Sequence, residues 1–377
     1  GFWTRKFEYV PDGRWESDTF ANYFMKPKGA SDAAMTVELT YNYDGRSYTM
    51  GDAWGHLCVR ADDLHSTMRA VVEQMTARGV VPFHDHGPRG ARHLTASLRE
   101  PSGEPALGAV EDRLVPGYET RVGEPCDPVP VRIYRPESDG PHPTVVYFHG
   151  GGFVLGGLDT HDDVCRHVCA GTEAVVVAVD YRRAPEHPFP AAIEDGYAAV
   201  EWAAANPGEL GGNGRVAAMG DSAGGTLAAV VSLLARDRDG PDLAHQTLVY
   251  PAVEPGRDRP SWTENLGAGY LTEADFDWFE DCYYGSDLHD ANPYAYPMAA
   301  ASHADLPPAT VVTAGFDPLR DEGAAYAEAL ADAGVPVTHR NYDDVAHGFF
   351  GLLVGPRLDR AHEALADVTA ELRAAFD

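Results

Sequence analysis

Apolar and polar residues follow three rhythms in succession along the chain. Up to about residue 67 the rhythm is that of short strands. Ala34-Met-Thr-Val-Glu-Leu-Thr-Tyr41 alternates as a half-buried strand does, Asn42-Tyr-Asp-Gly45 reads as a turn, and Trp54-Gly-His-Leu-Cys-Val-Arg60 predicts another strand. Asp62 or Asp63 is placed to cap a helix beyond it. Met68 to Met75 then shows helical spacing, and His84 to Arg99 predicts a second helix, broken by Pro88 and Gly90. These two form a helical cap segment over residues 68–105.

From about Val110 the rhythm becomes strand alternating with helix. Strands are predicted at Val129–Arg135, Thr144–His149, Ala174–Tyr181, Val216–Gly220, Gln246–Tyr250, Ala309–Ala314 and Val335–Tyr342. Ala174-Val-Val-Val-Ala-Val is apolar at every position, as a central parallel strand covered on both faces must be. Helices are predicted at Ala191–Ala205, Ala223–Arg236 and Asp321–Ala333. The fold class is therefore α/β, a mostly parallel sheet with helices on both faces. Residues 255–300 interrupt the alternation with Trp262, Tyr270, Phe276, Trp278, Phe279, Tyr283 and Tyr284. Such an aromatic insertion suits a lid or the wall of an acyl pocket, and equally plain packing.

Two glycine motifs lie at ends of predicted strands. Gly220-Asp-Ser-Ala-Gly-Gly225 is a G-x-S-x-G turn between a strand and an Ala-rich helix, which marks Ser222 as a candidate nucleophile. A serine hydroxyl needs an adjacent base, and a helix N-terminus favours the anion that develops beside it. His149-Gly-Gly-Gly152 is the second motif. The amides of Gly151 and Gly152, with that of Ala223, are the candidate donors to an oxyanion, and His149 is assigned to bracing the loop. In the chain order Ser, Asp, His, the acid and base come later. Asp317 directly follows the strand 309–314, whereas its rival Asp321 suits a helix start. His347 lies just past the last strand. His303, His339 and His362 lie in a connection, a strand and the terminal helix.

Residues from about 68 to 377 resemble the hormone-sensitive-lipase-like branch of the α/β-hydrolases, the bacterial and archaeal family IV esterases. The matching stretches are His149-Gly-Gly-Gly-Phe153, Asp180-Tyr-Arg-Arg-Ala-Pro-Glu-His-Pro-Phe-Pro190, Gly220–Gly225, Asp317-Pro-Leu-Arg-Asp-Glu322 and His347-Gly-Phe349. Arg182-Arg183, where many members have Arg-Leu, is a departure. The resemblance implies an α/β-hydrolase domain over 68–377 with a cap from 68–105 and 255–300. It also implies a Ser222–His347–Asp317 triad, oxyanion donors at Gly151, Gly152 and Ala223, no cofactor, and a small-molecule ester of short to medium acyl chain as substrate.

Residues 1–67 are similar instead to part of glyoxalase I (lactoylglutathione lyase), through Val37-Glu-Leu-Thr-Tyr-Asn42, Tyr48–Gly51 and Ala53-Trp-Gly-His-Leu57. That family holds Ni or Zn through His and Glu on paired βαβββ modules. Glu38 and His56 fall on two ligand positions and the other two are missing, so the segment reads as a truncated remnant without a catalytic metal. Exposed β edges there offer a surface for homodimer association. A metal-dependent lyase using Glu38 and His56, and a non-catalytic hydrolase-fold binding protein, are the competing classes.

Charge narrows the partners further. Of 377 residues, 58 are Asp or Glu and 29 Lys or Arg, a net charge of −29. Nucleic acid and anionic membrane surfaces are excluded as partners on that balance. The only lysines are Lys6, Lys26 and Lys28. Dispersed acid with few lysines suits a protein kept in solution at high salt, or a high-GC genome. No apolar run has the length of a membrane span and the opening Gly-Phe-Trp-Thr-Arg-Lys has no signal-peptide core, so a cytoplasmic location is expected. Cys58, Cys126, Cys165, Cys169 and Cys282 are scattered and odd in number, against a disulfide framework. Cys165 and Cys169, with His161 nearby, read as buried small side chains rather than metal ligands.

Overall fold

The computed structural model describes residues 82–118, 127–266, 271–354 and 358–377, and the backbone of 20–25 and 37–42. The chain divides into two compact units, residues 1–80 and 81–377. In the first, β1 (Phe20–Met25) and β2 (Val37–Asn42) pair antiparallel, with Glu38 opposite Phe24. The predicted strand 54–60, His56 within it and the predicted helix 68–75 lie outside the described residues.

The second unit is built on an eight-stranded sheet in the order β10-β9-β8-β7-β5-β6-β4-β3. The strands are β3 (Ala109–Val115), β4 (Val129–Arg135), β5 (His142–Phe148), β6 (Val175–Val179), β7 (Gly212–Asp221), β8 (Leu243–Val249), β9 (Ala309–Phe316) and β10 (Val337–Ala346). Pairing is antiparallel for β3–β4 and β4–β6, and parallel elsewhere. The helices are α1 (Phe83–Leu98), α2 (Asp162–Thr172), α3 (Ala191–Ala205), α4 (Pro207–Leu210), α5 (Ala223–Asp237), α6 (Pro260–Asn265), α7 (Glu273–Tyr283), α8 (Arg320–Asp332) and α9 (Asp359–Phe376).

β6 shows why the sheet sits between helices. Successive strand side chains point to opposite faces. Val175, Val177 and Val179 join one core cluster, with Val200 of α3 and Leu227 and Val231 of α5. Val176 and Ala178 join the other, with Cys165 and Val168 of α2 and Leu365, Val368 and Leu372 of α9. Both faces are buried, so no polar position is tolerated in the run. Cys165 and Cys169 are fully buried in the second cluster. Among the described residues no helix is long and apolar enough to cross a membrane.

Three elements differ from the pattern reading. The break in the first helix falls at Gly87 (φ 61°, ψ 170°), not at Pro88 and Gly90, which are both helical. Only glycine takes that backbone freely, and Pro88 then opens the next turn, where a missing N–H costs nothing. β3 carries Glu111, Asp112 and Arg113 and is mostly exposed, an edge strand without an apolar alternation to reveal it. β10 runs on to Ala346, past the predicted end at Tyr342, through an irregularity in its register.

Candidate active site

The predicted residues gather at the C-terminal ends of the parallel strands, where loops of an open α/β sheet converge. Sheet register sets the arrangement. Phe148 pairs with Gly220, so the loops that leave β5 and β7 start side by side. Asp221 pairs with Val249 on the far side of β7. Ala346 pairs with Phe316, so the next residues of β10 and β9, His347 and Asp317, are brought together.

Ser222 occupies the turn between β7 and α5 with φ 54° and ψ −123°. A non-glycine residue there holds roughly 1–3 kcal/mol of strain and must be fixed by its surroundings. Its N–H donates to Val249 O at 2.8 Å, and its carbonyl accepts from Thr226 N–H at 3.0 Å. The flanking glycines are required by close approach. A Cβ on Gly220 would lie 2.2 Å from Gly224 O, and one on Gly224 only 1.9 Å from Phe148 O.

His347 Nε2 lies 3.0 Å from Ser222 Oγ, and His347 Nδ1 lies 2.7 Å from Asp317 Oδ2. Asp317 is fully buried. Its other oxygen, Oδ1, accepts the Leu319 N–H at 2.9 Å. Asn265 of α6 donates to the Gly315 and Asp317 carbonyls at 3.3 and 3.2 Å and so fixes the loop that carries Asp317. Tyr250 packs its ring on the imidazole, with centroids 4.6 Å apart. Asp321 faces elsewhere: it accepts from Ser261 N–H at 2.8 Å and pairs with Arg320. The other histidines are also engaged away from Ser222. His303 contacts Pro297 O, His339 contacts Thr313 Oγ1, and His362 contacts Leu353 O.

The glycine loop is folded back on itself by bonds from Val154 and Leu155 N–H to Gly151 O, at 3.1 and 2.7 Å. Among the described residues the N–H groups of Gly151, Gly152 and Ala223 donate no backbone hydrogen bond. Gly152 has φ 58°, and a Cβ there would meet the Phe279 ring at 2.4 Å. Phe279 comes from α7, so the aromatic insertion covers this loop. Phe153 stacks on Tyr283 of the same helix at 3.8 Å between centroids. α7 is started by a Thr272–Asp275 capping box, and buried Asp275 also accepts His84 N–H at 3.0 Å, joining α7 to α1. The aromatic insertion is visible in the sequence pattern, whereas the Phe279–Gly152 contact and the Asp275 bridge are not. Thr272-Glu-Ala-Asp275 was the available signal for the cap.

His149 is buried and stacks on Tyr181 at 4.2 Å, with Nδ1 2.9 Å from Gly150 O. Burial and the neighbouring His161 hold its imidazole down at about 3. It braces the loop and contacts no group of the Ser222 relay. Glu322 of α8 is buried, accepting from Val253 N–H at 2.8 Å and Trp262 Nε1 at 3.3 Å, and burial raises its carboxyl well above the usual range. Among the described residues no group of three or more His, Cys, Asp or Glu is placed to hold a metal ion. Glu38 lies on β2, opposite Phe24.

A strained serine between a parallel strand and a helix faces an imidazole and a buried carboxylate, the arrangement that serine hydrolases use. A sequence profile of the alpha/beta hydrolase fold matches residues 145–351. The chain is 44% identical to esterase LipI of Mycobacterium tuberculosis over 279 residues, 72% of this chain and 85% of the relative. It is 46% identical to carboxylesterase NlhH of the same organism over 272 residues, 70% and 83% of the two chains. An ester-hydrolase from the metagenome of Lake Arreo, solved with a bipyridine phosphonate derivative, superposes with a TM-score of 0.75 at 36% identity, over 82% of this chain and 98% of its own. The chain belongs to the α/β-hydrolase family, among its carboxylester hydrolases.

Proposed function

We propose that this carboxylesterase works through Ser222 as nucleophile, His347 as general base and acid, and Asp317 as the orienting carboxylate. The ester is of short to medium acyl length. The observation that carries the reading is the continuous relay from Asp317 Oδ2 to His347 Nδ1 at 2.7 Å and from His347 Nε2 to Ser222 Oγ at 3.0 Å. His347 takes the Ser222 proton as Oγ attacks the ester carbonyl, and Asp317 steadies the imidazolium that forms. The amides of Gly151, Gly152 and Ala223 receive the carbonyl oxygen as it becomes an anion, an interaction worth about a hundredfold in rate for each donor. His347 then protonates the leaving alkoxide. Water, deprotonated by the same imidazole, releases the acid from the acyl-enzyme. The hydrolytic cycle uses only these groups.

The aromatic cover formed by α7 bounds the space over the oxyanion loop and so limits acyl or alcohol size. Ser222→Ala is the direct test. It removes the nucleophile without touching the strand–helix turn, so hydrolysis of p-nitrophenyl butyrate should disappear while the melting temperature stays near that of the parent. Near-parental turnover in this variant overturns the mechanism. A p-nitrophenyl ester series of rising chain length then measures the depth of the pocket.

A further inference from the structure

We propose that Asp221, the residue before Ser222, is a positioning residue that locks the oxyanion loop onto the nucleophile turn. The inference rests on the Ser222 reading above. Asp221 is buried. Its Oδ1 accepts the Tyr147 O–H at 2.6 Å and the Gly150 N–H at 3.0 Å. The same oxygen lies 3.4 Å from His161 Nε2. His161 is held in turn by Thr160, whose hydroxyl sits 2.9 Å from its Nδ1 and donates to Gly157 O at 2.9 Å.

One carboxylate therefore joins β5 through Tyr147, the glycine loop through Gly150, and the 159–161 turn through His161. Gly150 is pressed against it: a Cβ there would lie 2.5 Å from Asp221 Oδ2 and 2.8 Å from Asp221 O. The Gly150 amide immediately precedes the Gly151 and Gly152 amides in the chain. Fixing its plane fixes where the next two N–H groups start. The fixing group is the covalent neighbour of Ser222, so nucleophile and donors move as one piece. Hydrogen bonds to a buried carboxylate are short and strong enough for this, and an oxyanion hole works only when its donors are held in place before charge develops. Asp221 touches no reacting atom.

The test compares Asp221→Ala and Asp221→Asn, with rates expressed per active site titrated by a p-nitrophenyl phosphonate. Titration removes any loss that comes only from misfolded protein. D221A should lower kcat tenfold to a hundredfold with KM changed less than threefold. Affinity for an aryl trifluoromethyl ketone, whose adduct carries the tetrahedral oxyanion, should fall in the same proportion. D221N keeps an oxygen that can accept from Tyr147 and Gly150 but loses the charge that strengthens both bonds, and should hold kcat between about a third and a tenth of the parent value. Parental kcat per titrated site in D221A overturns the proposal, as does a fall in kcat that ketone affinity does not follow. Where D221A yields no folded enzyme, D221N decides: full parental kcat and ketone affinity overturn the role. S222A, assayed alongside, separates the two readings. Turnover retained in S222A overturns the site itself, whereas an inactive S222A with parental Asp221 variants overturns only the role of Asp221.

Discussion

Asp317→Asn is the replacement whose consequence the structure fixes most tightly. The carboxylate has two buried oxygens with different obligations. Oδ1 must accept the Leu319 N–H at 2.9 Å, and Oδ2 faces His347 Nδ1 at 2.7 Å. An asparagine has one oxygen. Placed at Oδ1, it satisfies Leu319 and turns its NH2 toward Nδ1, which must then present a lone pair. The imidazole proton moves to Nε2, the nitrogen 3.0 Å from Ser222 Oγ, and the ring cannot accept the serine proton. Flipping the amide restores the tautomer but leaves the Leu319 N–H without a partner, at roughly 2 kcal/mol. The flipped form still lacks the negative charge beside the imidazolium, worth up to about 4 kcal/mol at ~4 Å in an effective dielectric of ~20. The two together predict a fall in kcat of about four powers of ten, the size known for the equivalent change in a Ser-His-Asp protease. The assay is p-nitrophenyl butyrate hydrolysis per titrated site, with a melting curve to show that the fold persists. Asp321→Asn, which alters a carboxylate facing Ser261 and Arg320, is the control and should keep its kcat within threefold. A D317N enzyme within tenfold of the parent would refute the tautomer argument.

Gly224→Ala should prevent accumulation of folded enzyme, because its Cβ would sit 1.9 Å from the Phe148 carbonyl, a backbone atom in a central strand; soluble, active G224A would contradict the packing described. His245 is buried in β8 with Nε2 2.9 Å from Thr310 Oγ1, and burial pushes its imidazole down to about 4. Its folded-state value lies below the unfolded value near 6.5, so it costs stability as pH falls between the two, by about 2 kcal/mol from pH 6.5 to 5. His245→Asn should therefore lose about 2 kcal/mol less than the parent over that range in urea titrations; equal losses would show that His245 does not titrate this way. The net charge of −29 leaves the folded chain under self-repulsion that salt screens. The melting temperature should rise between 0.1 and 1 M NaCl, and faster turnover at low salt with an unchanged melting temperature would remove the high-salt interpretation.

The serine turn was legible because its determinants are contiguous. A strand, two glycines forced by backbone contact and a helix start all fall within Val216 to Leu227, and local sterics allow little else there. The continuous apolar run of β6 likewise declared a doubly covered strand. His347 and Asp317 could be chosen from chain order and strand ends, but their meeting depends on the pairing of Ala346 with Phe316 across β9 and β10. The register irregularity after Tyr342 makes that pairing, and nothing in Asp343-Asp-Val345 announces it. β3 has no signature in the sequence because an edge strand needs no apolar alternation. Gly87, not Pro88, took the helix break, because positive φ is the scarcer requirement.

By itself the sequence determined the α/β architecture, the Ser222 turn and the glycine loop, since each follows from the period and sterics of neighbouring residues. Only the tertiary structure decided what those pieces touch. It brought Phe279 over Gly152, set Asn265 on the Asp317 loop and gave Asp221 to Gly150, joining positions far apart in the chain. Such contacts are chosen by how whole layers pack, and no local pattern encodes them.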